Sequence, residues 1–188
     1  MTPGPGHNGG PPLAGLGWQR HCWTKARADL LPHLPIEVVR LRVRRAAELG
    51  LDYRSYASVR AATGHDLVAL LFSSNALRVF PPLPALPEDR AAKLGALRAV
   101  LRLGLACGKL SPEALQRVAG LDDAHPAPAT LGVWAAQRQA IRAALGAQKL
   151  SGDRVLLIGD HGLERDWCAA GGLAGYIPAD RYFAAPAA

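Results

Sequence analysis

The residues RVLLIGDHGLERDWCAAGGLAGYI, at positions 154–177, decide the fold of this chain. The apolar run VLLI at 155–158 has the length of a strand and closes at Gly159-Asp160. A loop and a short helix follow, and residues 173–177 then have the composition of another strand. A strand, a helix and a strand in succession form a parallel βαβ unit with a right-handed connection. We therefore predict an α/β fold.

A second candidate strand is LVALLF at 67–72, which ends at Ser73-Ser74-Asn75. Its Leu and Ala content also allows a buried helix, since neither residue is β-branched. If 67–80 is helical, the chain is mostly α-helical. If it is a strand, the fold is helix-rich α/β with a small parallel, Rossmann-like sheet. The predicted strands lie at about 67–72, 154–159 and 173–177, and the predicted covering helices at 36–49, 88–106 and 130–145.

Proline and glycine divide the chain into segments. Residues 1–17 contain four Pro and six Gly and are predicted to form a flexible arm. Residues 18–80 are predicted as an N-terminal helical part with an αα-hairpin and one strand. The stretch 81–87 is a Pro-rich connector, and 88–188 a helical bundle plus the C-terminal βαβ unit. The length favours one compact domain over 18–188.

Composition limits the classes of partner. The cysteines Cys22, Cys107 and Cys168 form no CxxC pair, so no disulfide framework or cysteine zinc site is indicated. No apolar run approaches the ~18 residues of a membrane span, and the first twenty residues lack signal-peptide features. We expect a cytoplasmic protein with no membrane partner. The net charge of +7 allows nucleic acid, but 18 of the 22 basic residues are Arg, which indicates a general compositional bias.

The turn IGDHG at 158–162 is the first candidate site. In open α/β sheets ligands bind outside the carboxyl ends of the strands, where Asp160 and His161 are the candidate catalytic groups. The predicted function is binding of a small anionic ligand such as a phosphate compound, in an open pocket between 73–75 and 159–162. A hydrolase-like enzyme would need a nucleophile that the sequence does not identify. The candidate ligand-binding residues are Ser73, Ser74, Asn75, Gly159, Gly162, Glu164 and Asp166.

Each of these acids also has a purely structural interpretation. Asp160 can cap the following helix, and Glu164 and Asp166 can be solvated or paired with Arg165. No metal-ligand spacing as diagnostic as HExxH is present, so no metal is predicted and no cofactor is identified.

The strand that ends in Gly159-Asp160, with a second acid after it, resembles the fourth motif of haloacid-dehalogenase-like phosphatases. The segment 71–75, LFSSN, resembles that superfamily's second motif, a strand that ends in a hydroxyl residue. The resemblance implies phosphoaspartyl chemistry, but the nucleophile motif DxDx[TV] is absent upstream of Ser73. We therefore assign no family from it.

Two alternative functions use other parts of the chain. The hairpin at 36–63 matches the spacing of a helix-turn-helix, with Gly50 at the turn, as would any tight αα-hairpin. It would bind nucleic acid through Arg40, Arg42, Arg44, Arg45, Arg54 and Arg60. The second alternative is a non-catalytic interaction or adaptor protein that uses the arm and the Pro-rich connector. Trp134 and Trp167 are interpreted as core residues rather than as stacking platforms.

Overall fold

The computed structural model describes residues 34–129 and 131–184. The contacts divide the chain into two compact units, Met1–Val39 and Arg40–Ala188. The predicted flexible arm at 1–17 lies outside the described residues. The sheet and its core belong to the second unit.

Five strands form a single sheet in which every neighbouring pair is parallel. Their order is β3-β2-β1-β4-β5, with β1 in the centre. The predicted α/β fold with a parallel, Rossmann-like sheet is confirmed, and the mostly helical alternative is wrong. The strands are β1 Ala69–Ser73, β2 Leu101–Ala106, β3 Asp123–Pro126, β4 Val155–Gly159 and β5 Gly175–Pro178.

Eight α-helices lie in the described part of the chain, and local signals set many of their ends. The side chains of Asp52, Ser73 and Ser111 each accept a hydrogen bond from a backbone amide in the first turn that follows. Gly64 and Gly172 end their helices in the left-handed conformation. The helices are α1 Ile36–Glu48, α2 Tyr53–Thr63, α3 Ser74–Leu77, α4 Glu88–Ala96, α5 Pro112–Ala119, α6 Trp134–Gly146, α7 Glu164–Gly171 and α8 Ala179–Ala184.

The helix predicted at 88–106 is wrong in its second half. It ends at Ala96, and residues 101–106 form β2. The leucine spacing suits a helix, but Leu101 and Leu105 lie on one face of a strand that pairs with β1. Ala99, with φ of 50°, interrupts the helical path. The predicted loop after Gly120 also contains the short edge strand β3. The segment 88–188 is therefore not a helical bundle plus one βαβ unit, since it supplies four of the five strands.

Strand β1 is fully buried and supplies the centre of two apolar layers. Leu70 and Phe72 belong to the layer that includes residues of α1, α2, α4, α5 and α8. Ala69 and Leu71 belong to the opposite layer, with residues of α6 and α7. Each fully buried leucine stabilises the fold by roughly 1.5–3 kcal/mol relative to an exposed one. Trp167 lies in the second layer as predicted, whereas Trp134 is 48% exposed, so its assignment to the core is wrong.

Candidate functional site at the carboxyl edge of the sheet

The order of the strands places a topological switch point between β1 and β4. From β1 the chain proceeds outward to β2 and β3, and then returns to β4 and β5 on the other side. Open α/β sheets bind ligands in the crevice at such a point, outside the carboxyl ends of the strands. Here β1 ends at Ser73 and β4 ends at Gly159. Both predicted turns therefore lie at the same edge, on neighbouring strands.

Glu164 lies at the centre of this edge and is 1% exposed. Its Oε2 accepts hydrogen bonds from the Ser73 hydroxyl at 2.9 Å and from the Asp160 amide at 2.8 Å. Its Oε1 accepts from Asn75 Nδ2 at 2.7 Å. Three donors thus compensate the desolvation of a buried carboxylate. We call Glu164, Ser73, Asn75 and the Asp160 amide the carboxylate network.

Gly159 allows this network to form, because the space beside its Cα is occupied. A Cβ at this position would lie 2.6 Å from Tyr176 Cε2 and would collide with the Glu164 carboxylate. A glycine at the end of β4 is therefore required for packing.

Only part of the predicted site faces solvent. Asp160, His161 and Gly162 are exposed, and the Tyr176 hydroxyl donates to the His161 carbonyl at 3.1 Å. Burial, followed by the negative charges of Glu164 and Asp160, raises the pKa of Tyr176. Asp166 is exposed on α7, about 200° around the helix from Glu164, and its side chain forms no hydrogen bond with another described residue.

The nucleophilic side chains near the switch point are already engaged. Ser73, which is fully buried, donates to Glu164 and accepts from the Ala76 amide at 3.1 Å. Buried Ser74 accepts from the Cys107 amide at 3.1 Å. Burial is the main factor that raises the pKa of the Cys107 thiol, which disfavours its reactive thiolate. The imidazole of His65 lies 3.3 Å from Asp153 and is not a hydrogen-bond partner of either serine.

A cavity of about 490 Å³ lies beside β5, between that strand and α2. Arg181 is held at its wall, because Nη2 donates to the Ser55 hydroxyl at 2.7 Å. The guanidinium of Arg54 makes no hydrogen bond or ion pair with another described residue. We call this space the arginine cavity, and its lining residues are Arg54, Ser55, Ser58, Val59, Tyr176, Ile177 and Arg181.

The guanidinium of Arg181 also forms an ion pair with Asp52, with 3.9 Å between Nη2 and Oδ2. It caps α2 by accepting from the Ser55 amide at 2.8 Å and from the Ser55 hydroxyl at 2.6 Å. These two hydrogen bonds are the main factors that lower the pKa of Asp52, and Arg181 lowers it further. Asp52 therefore offsets part of the charge of Arg181, while Arg54 supplies a positive charge that no other described residue pairs.

The sequence predicted only part of this cavity. Arg54 and Ser58 lie in the predicted nucleic-acid-binding hairpin, whereas Tyr176 and Arg181 are assigned to no predicted site. The sequence does contain one indication for Tyr176, because this residue lies near the carboxyl end of a predicted strand, where ligands bind. Arg181 had none, because it lies beyond the βαβ unit and meets Ser55 across 126 residues of sequence.

The six arginines of the helix-turn-helix hypothesis divide into two groups. Arg45 donates to Asp66, Glu48 and the carbonyls of Leu67 and Ala99. Arg60 lies 3.6 Å from Asp66. The remaining members, Arg40, Arg42, Arg44 and Arg54, are exposed or half-buried.

Within 34–129 and 131–184, no group of three or more His, Cys, Asp or Glu side chains is arranged to hold a metal ion. None of the helices described here is long and apolar enough to cross a membrane. Among known proteins, no family model matches the chain. No curated protein and no solved structure matches it either. What the chain binds has to be inferred from its own residues.

Proposed function

We propose that this chain binds a small anionic ligand in the arginine cavity. The supporting observation is the convergence of Arg54, Arg181 and the exposed Ser58 on a space of about 490 Å³. Small-molecule pockets commonly have volumes of roughly 300–1,000 Å³. The planar guanidinium group binds carboxylate and phosphate oxygens through paired hydrogen bonds. Val59 and Ile177 provide apolar wall for the uncharged part of such a ligand.

The arginine cavity is favoured over the switch point itself because of charge. The donors that an anion would use at the switch point already bind Glu164. A phosphate placed there would lose those donors and meet the negative charge of the carboxylate. The open pocket expected between 73–75 and 159–162 is thus replaced by a closed carboxylate network. Asp160 and His161 border the proposed site through the Tyr176 hydroxyl instead of binding the anion.

The proposal is one of binding without a covalent step. Ser73 and Ser74 are buried, and the pKa of Cys107 is raised, so none of these side chains supports nucleophilic attack on a bound ligand. The ligand class is a phosphate monoester or a carboxylate, because both match the guanidinium geometry.

Thermal unfolding with inorganic phosphate, ATP and citrate tests this proposal. A probe at one hundred times its dissociation constant should stabilise the protein by about 2.7 kcal/mol. Arg54→Ala is the decisive variant, since its exposed side chain has no partner in the described chain whose loss would weaken the fold. We expect it to weaken binding at least tenfold in calorimetric titration, and Arg181→Ala to do the same.

The matched control is Arg117→Ala, which removes an exposed arginine of α5. It should bind like the unaltered protein. If none of the three probes raises the unfolding temperature, or if Arg54→Ala binds as tightly as Arg117→Ala, the proposal is wrong.

The helix-turn-helix hypothesis receives less support. It requires six arginines on one exposed face, and Arg45 and Arg60 form ion pairs with Asp66. Arg45 also bonds two backbone carbonyls, so its release would leave both without that donor.

A further inference from the structure

The outer face of α6 exposes a large aromatic side chain. Trp134 is 48% exposed, and just before it Leu131 and Val133 are 90% and 74% exposed. Arg138 and Arg142 follow Trp134 at intervals of four residues, so the three side chains lie on one helical face. They line a cavity of about 280 Å³ together with Ala135 and Gln139.

The opposite face of α6 is the one that stabilises the fold. Ile141, Ala144 and Leu145 are buried in the layer that covers β1 and β4. The outward side chains contribute nothing to that layer. An exposed tryptophan beside apolar neighbours is typical of a binding surface.

Both charged side chains of α6 are arginines. The sequence contains no Asp or Glu between Asp123 and Asp153. The guanidinium groups of Arg138 and Arg142 form no hydrogen bond or ion pair with another described residue. Beyond the helix, Lys149 and Arg154 line a further cavity of about 480 Å³, in which Asp153 is paired with His65. Positive groups thus occur from the middle of α6, a helix about 20 Å long, to the segment that follows its end.

We propose that the α6 face, defined by Trp134, Arg138 and Arg142, binds single-stranded nucleic acid. An unpaired base stacks on the exposed indole, and the two guanidiniums pair with successive phosphates of the strand as it runs along the helix away from Trp134. Single-strand-binding proteins combine these two elements, a positively charged track and aromatic platforms. A duplex fits less well, because its bases are already stacked on one another and cannot reach the ring.

Other partners fit this face less well. The cores of protein interfaces are depleted of charged residues, whereas here two guanidiniums lie directly along the stripe that begins at Trp134. A membrane-surface helix needs an apolar face exposed along its length, and the apolar face of α6 is in the core. A second copy of the chain would place arginines against arginines. The proposal does not depend on the arginine cavity, which uses other residues.

Fluorescence anisotropy with a labelled 15-nucleotide single-stranded DNA, and with the same sequence as a duplex, tests the proposal. We expect the single strand to bind more tightly. Trp134→Ala should weaken its binding about tenfold, and Trp134→Phe, which keeps an aromatic ring, should restore most of the loss. The double variant Arg138→Ala and Arg142→Ala should reduce the slope of log affinity against log salt by about 1.4, since single strands lose about 0.7 per phosphate contact.

All these side chains are exposed, so the variants should fold, which circular dichroism verifies. Arg117→Ala is the control and should leave DNA binding unchanged. Loss of ligand binding in Arg54→Ala with intact DNA binding would separate this face from the arginine cavity. Three results would overturn the proposal. Trp134→Ala could bind the single strand as tightly as the unaltered protein, the protein could prefer the duplex, or it could bind phosphatidylserine vesicles in place of DNA.

Discussion

Glu164 illustrates how one residue position can be ambiguous in sequence and definite in structure. As an acid in the first turn of α7, followed by Arg165, it has the local signature of a solvated or paired side chain. The guanidinium of Arg165 instead lies 5.3 Å from the Tyr176 ring centre, and the buried Glu164 accepts bonds from β1 and the β4 turn. Its role is to join the two central strand ends.

Glu164→Ala should destabilise the protein by about 2–4 kcal/mol, because it leaves the Ser73, Asn75 and Asp160 donors without their acceptor and opens a small cavity. Urea unfolding monitored by circular dichroism measures the change. Asp166→Ala is the matched control, since it removes an exposed acid from the same helical turn. It should change stability by less than about 1 kcal/mol. Equal effects of the two substitutions would show that the carboxylate network contributes no stability.

At the scale of elements, β2 shows how tertiary pairing can override a helical pattern. Leucines at 94, 97, 101 and 105 repeat at helical intervals, yet only the first lies in a helix. In β2 the alternation is of period two, with Leu103 and Leu105 in one apolar layer and Ala106 in the other. Gly104 faces the same layer as Ala106, where α5 packs closely against the strand.

Gly104→Ala should therefore destabilise the protein by about 1–3 kcal/mol through overpacking. The added Cβ would lie 2.6 Å from Leu121 Cδ1 and 3.0 Å from Leu115 Cδ2. The control is Gly95→Ala in α4, where a Cβ meets no heavy atom within 4 Å. That change should be neutral or stabilise the helix by up to about 1 kcal/mol. Thermal unfolding of both variants measures the two changes in stability. A Gly104→Ala variant as stable as the unaltered protein would contradict the packing of α5 on β2.

At the scale of the whole molecule, the strand order gives the sheet a protected centre and two weak edges. β1 hydrogen-bonds to β2 on one side and to β4 on the other, while β3 and β5 are four-residue edge strands. Edge strands have unpaired backbone groups along one side and fewer apolar contacts. Local opening should therefore begin at the edges.

Native-state hydrogen exchange should show the slowest amides in β1, β2 and β4, at rates set by global unfolding, and faster exchange in β3 and β5. Leu71→Ala, which truncates a fully buried side chain of β1, should lower the protection of all three central strands by a common amount of about 2–5 kcal/mol. Two results would contradict cooperative unfolding of the three central strands. One is hydrogen-exchange protection in β5 equal to that in β1, and the other is an effect of Leu71→Ala confined to β1.

The sequence by itself determined the features whose signals are local. The βαβ unit at 154–177 follows from an apolar run, a glycine stop and a second run. The helix caps at Asp52 and Ser111 follow from side chains that bond amides three residues away. The meeting of the 73–75 and 159–162 turns at one edge of the sheet was also predictable, because parallel strands all end at that edge. Hydrophobic periodicity and turn chemistry act over a few residues, so a single sequence is sufficient to identify them.

Only the tertiary structure decided which predicted residues meet. Ser73 bonds Glu164 across 91 residues of sequence, and Arg181 bonds Ser55 across 126. The closed carboxylate network, the arginine cavity and the strands β2 and β3 all depend on such distant pairs. So does the exposure of Trp134, whose helical position suits a core residue equally well. Burial is a property of the assembled layers, and no local pattern specifies which face of an element will be covered.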